Sequence, residues 1–228
     1  MFLIPTYNRP DMLLDLLKQI AKCPYDYKVK IYNDHSKLSY KKVIDYLPDL
    51  NEAEYYRTPE NHGKQFFWLL NDLMYHDMEK EEFDYCVNLA DDLELVEGFF
   101  EKAVRYHELS GADLLNILAI ESMNRMWRTG DKPRFEKEGV TFIQANWIDG
   151  AFICTRKYFE KLNYACPCVP LRRWEKLPNS SSGVGAVLSG TFYRAGGTVM
   201  QLERSLVIHR SIKSVINTHR KDPLIAYL

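Results

Sequence analysis

The chain has 228 residues, 46% of them hydrophobic and 27% charged, with 30 Lys plus Arg against 31 Asp plus Glu and a formal net charge of -1. That suits one packed domain of generous size and excludes wholesale disorder and a uniformly basic nucleic-acid coat. No run approaches the roughly 20 apolar residues of a membrane helix, the start MFLIPTYNRP lacks the positive region of a signal peptide, and five scattered cysteines do not form a disulfide framework, so a cytoplasmic protein of a reducing compartment is expected.

The first half alternates two periodicities. Phe2–Pro5 is a short apolar run suited to a buried strand, and Pro10 suits the first turn of a helix in which Leu13, Leu16, Leu17 and Ile20 share one face. Tyr27–Tyr32 alternates as a second strand. Tyr40, Val43, Ile44 and Leu47 form a second helical stripe, and 54–58 predicts a third strand. Phe66, Leu69, Leu70, Leu73 and Met74 mark a third helix, 85–90 a fourth strand, Phe99 to Val104 a fourth helix and 114–120 a fifth strand. Strand and helix in turn predict an α/β fold with a mostly parallel sheet covered on both faces.

The second half is less regular. Residues 121–139 are polar and predict a long loop, 140–147 and 151–155 predict strands, and 156–162 a helix. Cys166 to Pro178 holds Pro167, Pro170 and Pro178 and predicts irregular chain; Cys166 and Cys168 are too few thiolates for a tetrahedral zinc site and are taken as loop cysteines. Ser180–Ser182 is expected to cap a helix from about 183 to 195, stopped by Gly196 and Gly197, before strands at 198–202 and 205–209. The charge is uneven too: residues 1–114 carry 13 basic and 22 acidic side chains, residues 115–228 carry 17 and 9. Different helix surfaces account for that as readily as a partner does.

In an open α/β sheet, ligands bind beyond the carboxyl ends of the strands, here 6–9, 33–36, 60–64 and 91–94. The first glycine in the chain is Gly63, which excludes a glycine-rich dinucleotide or P-loop turn after the first strand. Asp91 and Asp92, with Glu94 close behind, end a buried-looking strand. Adjacent carboxylates repel unless a cation sits between them, and Mg or Mn commonly uses one or two carboxylates plus substrate phosphates. The plain alternative is a solvated acid pair at the start of the helix near Glu97.

These segments, in order, resemble family 2 glycosyltransferases with the GT-A fold. Phe2-Leu-Ile-Pro-Thr-Tyr-Asn-Arg-Pro10 is similar to the family's opening, 29–36 to its second strand with an acidic end, Asn61-His-Gly63 to its Asn-x-Gly, and Leu89-Ala-Asp-Asp-Leu-Glu-Leu95 to its DxD-type metal motif. Residues 196–209 resemble the closing segment that delivers a metal-binding His. The resemblance implies a nucleotide-diphosphate sugar donor, a UDP-sugar in particular, and a Mn or Mg ion. It implies that Pro5, Thr6, Tyr7 and Arg9 line the nucleotide, that Asp34 accepts a hydrogen bond from the base, that Asn61, Gly63 and Lys64 border the nucleotide, and that Asp91 faces the ribose or the metal's water. Asp92 and His209 would be the metal ligands. The motif's usual first acid is Ala90 here.

An inverting transferase needs a carboxylate to deprotonate the acceptor hydroxyl. Asp149, in Asn146-Trp-Ile-Asp-Gly150, is the first candidate and Glu175 the second. A turn acid bonded to its own backbone is the plain alternative for Asp149. Trp147 and Trp174 are candidates for a stacking wall. Residues 155–228 hold 12 basic and 4 acidic side chains, which favours a polyanionic acceptor. The compact chain also resembles bacteriophage transferases that modify hydroxymethylated DNA bases, so DNA is one expected acceptor and a cell-surface saccharide the other. The non-enzyme alternative is a nucleotide-sugar-binding protein. By segments, 1–120 would be the donor half, 121–210 the acceptor half and 211–228 a basic tail.

Overall fold

The computed structural model describes residues 1–119, 132–148, 150–176 and 180–210. In the first half the predicted elements appear in order, joined by one further strand, β5: β1 (Phe2–Thr6), α1 (Pro10–Ile20), β2 (Lys28–Asn33), α2 (Lys41–Tyr46), β3 (Glu52–Arg57), α3 (Gly63–Asp77), β4 (Cys86–Asn88), β5 (Leu93–Leu95), α4 (Phe99–Ser110) and β6 (Leu114–Asn116). Pro10 opens α1, whose buried face is Leu13, Leu16, Leu17 and Ile20. Pro5 sits inside a central strand at no cost to the ladder, because β4 pairs with β1 only at Phe2 and Leu3.

Several expectations need correction. α2 gives way to a 3-10 turn at Leu47–Asp49, and Ile44 of its predicted stripe is 47% exposed. Phe66 and Leu69 of the α3 stripe are exposed as well. β5 was not anticipated: three residues behind an acid pair show no strand pattern. β7 (Arg134–Lys137) occupies the end of the predicted loop, paired antiparallel with β8 (Val140–Ala145). Beyond β9 (Phe152–Cys154) and α5 (Arg156–Lys161), the proline-rich stretch contains α6 (Arg172–Lys176). α7 (Val184–Arg194) starts from Gly183 in the left-handed region with no side-chain cap, so the serines do not cap it. β10 (Val199–Leu202) and β11 (Val207–His209) complete the described chain.

Among the described residues nine strands form one sheet in the order β3-β2-β1-β4-β9-β6-β10-β8-β7, while β11 pairs with β5 in a second, two-stranded sheet. The large sheet is mostly parallel in strand direction: only β9 and β8 run against the other seven. Alternation along β1 divides the core. Phe2 and Ile4 face a layer built with α1, α2 and α4, whereas Leu3 faces one built with α3, α5 and α7. Burial of both faces explains why β1 reads as an apolar run.

Candidate active site

The carboxyl ends of β1, β2 and β4 meet at one sheet edge. Thr6, the last residue of β1, donates from Oγ1 to Asp91 Oδ2 at 2.7 Å, and the Tyr7 amide reaches the same oxygen at 3.4 Å. The Tyr40 hydroxyl lies 2.8 Å from Thr6 Oγ1 and accepts from the Arg9 amide at 3.1 Å. Ser36 Oγ donates to Tyr40 Oη at 3.2 Å and accepts from the Asn8 amide at 2.8 Å. Asn8, at φ 54°, accepts from the Lys37 amide at 2.7 Å. The loops after β1 and β2 are thereby locked together around a buried tyrosine. Sequence reasoning missed this hub, because it took Tyr40 as an apolar helix position; Asn8 and Ser36, polar residues in two strand-end loops, were the available signal.

Asp34 is buried just after β2. Its amide donates to Thr6 O at 2.9 Å, and its carboxylate accepts from Asn61 Nδ2 at 2.8 Å and from the His62 amide at 3.1 Å. His62 Nδ1 is 2.5 Å from Asp34 Oδ1. Asn61 and Asp34 are therefore in contact, and Gly63, at φ 58°, opens α3 directly behind them. Lys64 is half-buried in the first turn of α3, and Pro5 is half-buried in β1.

Asp91 and Asp92 follow β4 and are 5% and 4% exposed, which rules out the solvated-pair reading. Arg9 Nη1 bridges them, 3.2 Å from Asp91 Oδ1 and in hydrogen bond with Asp92 Oδ2. Burial pushes the Asp91 carboxyl up to about 6; Arg9 pulls against that, Asp92 adds to it, and the Thr6 hydrogen bond opposes it. β11 brings His209 Nε2 to 3.5 Å from Asp92 Oδ2, because His209 pairs with Leu93 across the small sheet. The buried His209 Nδ1 has no hydrogen-bond partner among the described residues.

Among the described residues no three His, Cys, Asp or Glu side chains form a ready metal cluster. Asp92 and His209 nevertheless present an oxygen and a nitrogen to one point, a donor pair that fits two positions around Mn or Mg when diphosphate and water supply the rest. A cleft of about 790 Å³ elsewhere is lined by Met1, Lys28, Glu52 and Tyr85, at the opposite, amino-terminal ends of the strands and away from these carboxylates.

A model of the glycosyl transferase family 2 matches residues 1–177. The chain belongs to that family. Among solved structures it is similar to Staphylococcus aureus TarS 1-349, at 15% identity and TM-score 0.64, covering 92% of this chain and 60% of that one. It is also similar to TarS 1-349 in complex with UDP-GlcNAc, at 12% identity and TM-score 0.65, with 97% and 61% covered. The chain thus spans about three-fifths of those relatives' length, and at these identities the likeness is one of fold. No curated protein matches it.

In this family 2 chain the segment at 146–150 is held by side chains at strand ends and on α7. Asn88, closing β4, donates to Gly150 O at 3.0 Å, and Asn116, closing β6, donates to Trp147 O at 2.7 Å. Ser189 Oγ accepts from the Ile148 amide at 2.7 Å. Asp149 lies outside the described residues, but the backbone on both sides of it is pinned to the sheet edge. Glu175 is exposed on α6, and Trp174 beside it is buried in the core. Cys166 is buried, Cys168 exposed, and all five cysteines are free. Among the described residues no helix is long and apolar enough to cross a membrane.

Proposed function

We propose that this chain is a metal-dependent glycosyltransferase that moves a sugar from a nucleoside-diphosphate donor, a UDP-sugar, to a hydroxyl of an anionic acceptor. The observation that carries the reading is the convergence of Thr6, Arg9, Asp34, Asp91, Asp92 and His209, drawn from four separate strand ends and their loops, on one edge of the sheet. Asp34 with Asn61 fixes the base, Thr6 and Asp91 the ribose, and Asp92 with His209 holds Mn or Mg. The ion supplies Lewis-acid stabilisation of the leaving diphosphate. Thr6 and the Tyr7 amide orient Asp91, and Tyr40 keeps Thr6 in place. Asp149 takes the acceptor's proton, since its neighbours Ile148 and Gly150 are tied to α7 and β4; Glu175 is the second candidate.

The acceptor's charge is inferred from a groove of about 620 Å³ between α6 and α7, lined by Arg172, Arg173 and Arg194 over Val169, Ala186 and Val187. Hydroxymethylcytosine DNA is the first acceptor to try and a cell-surface polyanion the second. A panel of nucleotide sugars with Mn, read as mass gain on hydroxymethylcytosine DNA and on charged and neutral oligosaccharides, tests the reading. Salt-sensitive mass gain on an anionic acceptor supports it. Donor binding without transfer or hydrolysis on any acceptor would reduce the chain to a nucleotide-sugar-binding protein.

A further inference from the structure

Arg9 stands where the chemistry of the acid pair needs a positive charge. Two adjacent carboxylates, each about 95% buried, are costly without a counter-charge, and removing one partner of such a cluster is strongly destabilising. The guanidinium supplies it through one nitrogen, Nη1, shared between Asp91 Oδ1 and Asp92 Oδ2. The Arg9 side chain is 9% exposed, and those of the two acids 7% and 5%. Its backbone is fixed independently, by the Arg9 amide on Tyr40 Oη and by Arg9 O accepting from the Leu13 amide. An exchange of guanidinium partner therefore leaves the backbone bonds at the start of α1 in place.

The oxygen that Arg9 holds, Asp92 Oδ2, is also the one that His209 Nε2 approaches. A metal ion held between that oxygen and His209 Nε2 competes with Arg9 for it. Resting on the metal reading above, we infer that Arg9 is an exchangeable counter-cation. It closes the acid pair in the donor-free protein and releases Asp92 to the metal only when a diphosphate arrives to receive the guanidinium. Guanidinium binds phosphate oxygens as readily as carboxylates, in the same forked geometry. Metal and nucleotide then bind with positive coupling, and by linkage each raises the affinity of the other by the same factor. The metal alone binds poorly, so the donor enters with its ion.

The test is Mn titration, read by the electron paramagnetic resonance signal of free Mn, on the wild type, Arg9→Met and Asp92→Asn, each with and without UDP. The wild type should bind Mn weakly alone and about tenfold or more tightly with UDP. Arg9→Met should bind Mn alone more tightly than the wild type and lose most of the UDP effect. In the same samples, Mn alone should raise the melting temperature of Arg9→Met more than that of the wild type, because Mn replaces the missing charge. If Arg9→Met is too unstable to titrate, Arg9→Lys, which keeps a cation without the fork, should show the same change by a smaller factor. A variant that binds Mn alone no better than the wild type, while the wild type binds it with UDP, overturns the exchange and leaves the metal reading standing. A wild type that binds no Mn even with UDP, or an Asp92→Asn variant that binds it equally well, overturns both.

Discussion

Strands β3, β2, β1 and β4 run parallel, and β1, β2 and β4 each deliver candidate site residues at their carboxyl ends. On the other side, β9, β6, β10, β8 and β7 are mixed in direction, with only β6 and β10 parallel neighbours, and the expected acceptor segment at 146–150 is held by Asn88, Asn116 and Ser189 rather than by its own strand. The first arrangement puts a site wherever a repeated strand-loop-helix unit ends. The second depends on single side chains that tie an irregular backbone to that edge. Donor chemistry should therefore be lost through charged groups, and acceptor chemistry through packing and backbone position.

The largest expected effect separates the two. Asp92→Asn should lower transfer by roughly a thousandfold, since several kcal/mol of charge stabilisation at the leaving diphosphate go with it, and should lower hydrolysis of the donor in parallel. Asp149→Ala should abolish transfer while leaving UDP affinity within about twofold, because a general base acts on the acceptor. Isothermal titration with UDP beside a transfer assay reads both. Equal loss of UDP binding in the two variants would break the division into donor and acceptor regions.

Packing comes next. Phe192 of α7 is fully buried, edge-on to Tyr158 with ring centres 5.0 Å apart, and Phe192→Ala should cost about 3–5 kcal/mol. Leu17→Ala in α1, equally buried, should cost about 2–5 kcal/mol. Urea unfolding of both variants compares the halves; a Phe192→Ala loss under about 1 kcal/mol would mean that the irregular half is loosely packed.

A smaller, more local effect is expected at Gly185, where an added Cβ would come 2.7 Å from Ile148 O and 3.1 Å from the Trp147 ring. Gly185→Ala should cost about 1–3 kcal/mol and raise the acceptor KM more than the donor KM. A donor KM raised equally would show that this segment serves both substrates.

Most of the first half was legible because its helices and first strands are long enough to show their period and the chain is clearly punctuated: Pro10 opens α1, and Asp91 and Asp92 end the β4 segment. Asp34 with Asn61 and Asp92 with His209 were expected to share a site on family likeness, and they lie in contact. What the sequence hid was short or polar. β5 has three residues, Arg134–Lys137 carries three charges in four positions, and α6 sits among prolines. Tyr40 occupies a helix-stripe position while its hydroxyl serves the site, and nothing in a one-dimensional pattern separates those uses. Arg9 was expected on the nucleotide; its contact with both acids was not foreseen, because the sequence alone does not show that both carboxylates are buried.

The smallest expected effect concerns the far edge of the parallel half. Lys28 and Lys30 contact Glu54 and Glu81 there. The hydrogen bond from Lys28 lowers the Glu54 carboxyl, and burial, which opposes it, is outweighed. At Glu81 burial raises and the two lysines together lower more strongly. Folded values below the unfolded ones mean that this stabilisation is present above the unfolded carboxyl pKa, near about 4.3, and is lost as pH falls through the folded values. Urea midpoints should therefore fall with pH below about 4.3, and Glu81→Gln should flatten the fall. A wild-type-like slope in that variant would remove the cluster from the acid response.

The most direct test of the donor site is anomalous scattering from Mn in crystals grown with UDP. The account predicts a peak in bonding contact with an Asp92 oxygen, His209 Nε2 and the diphosphate, with the uracil beside Asp34. UDP bound at this edge with Arg9 still on both acids and no Mn peak at Asp92 would contradict it.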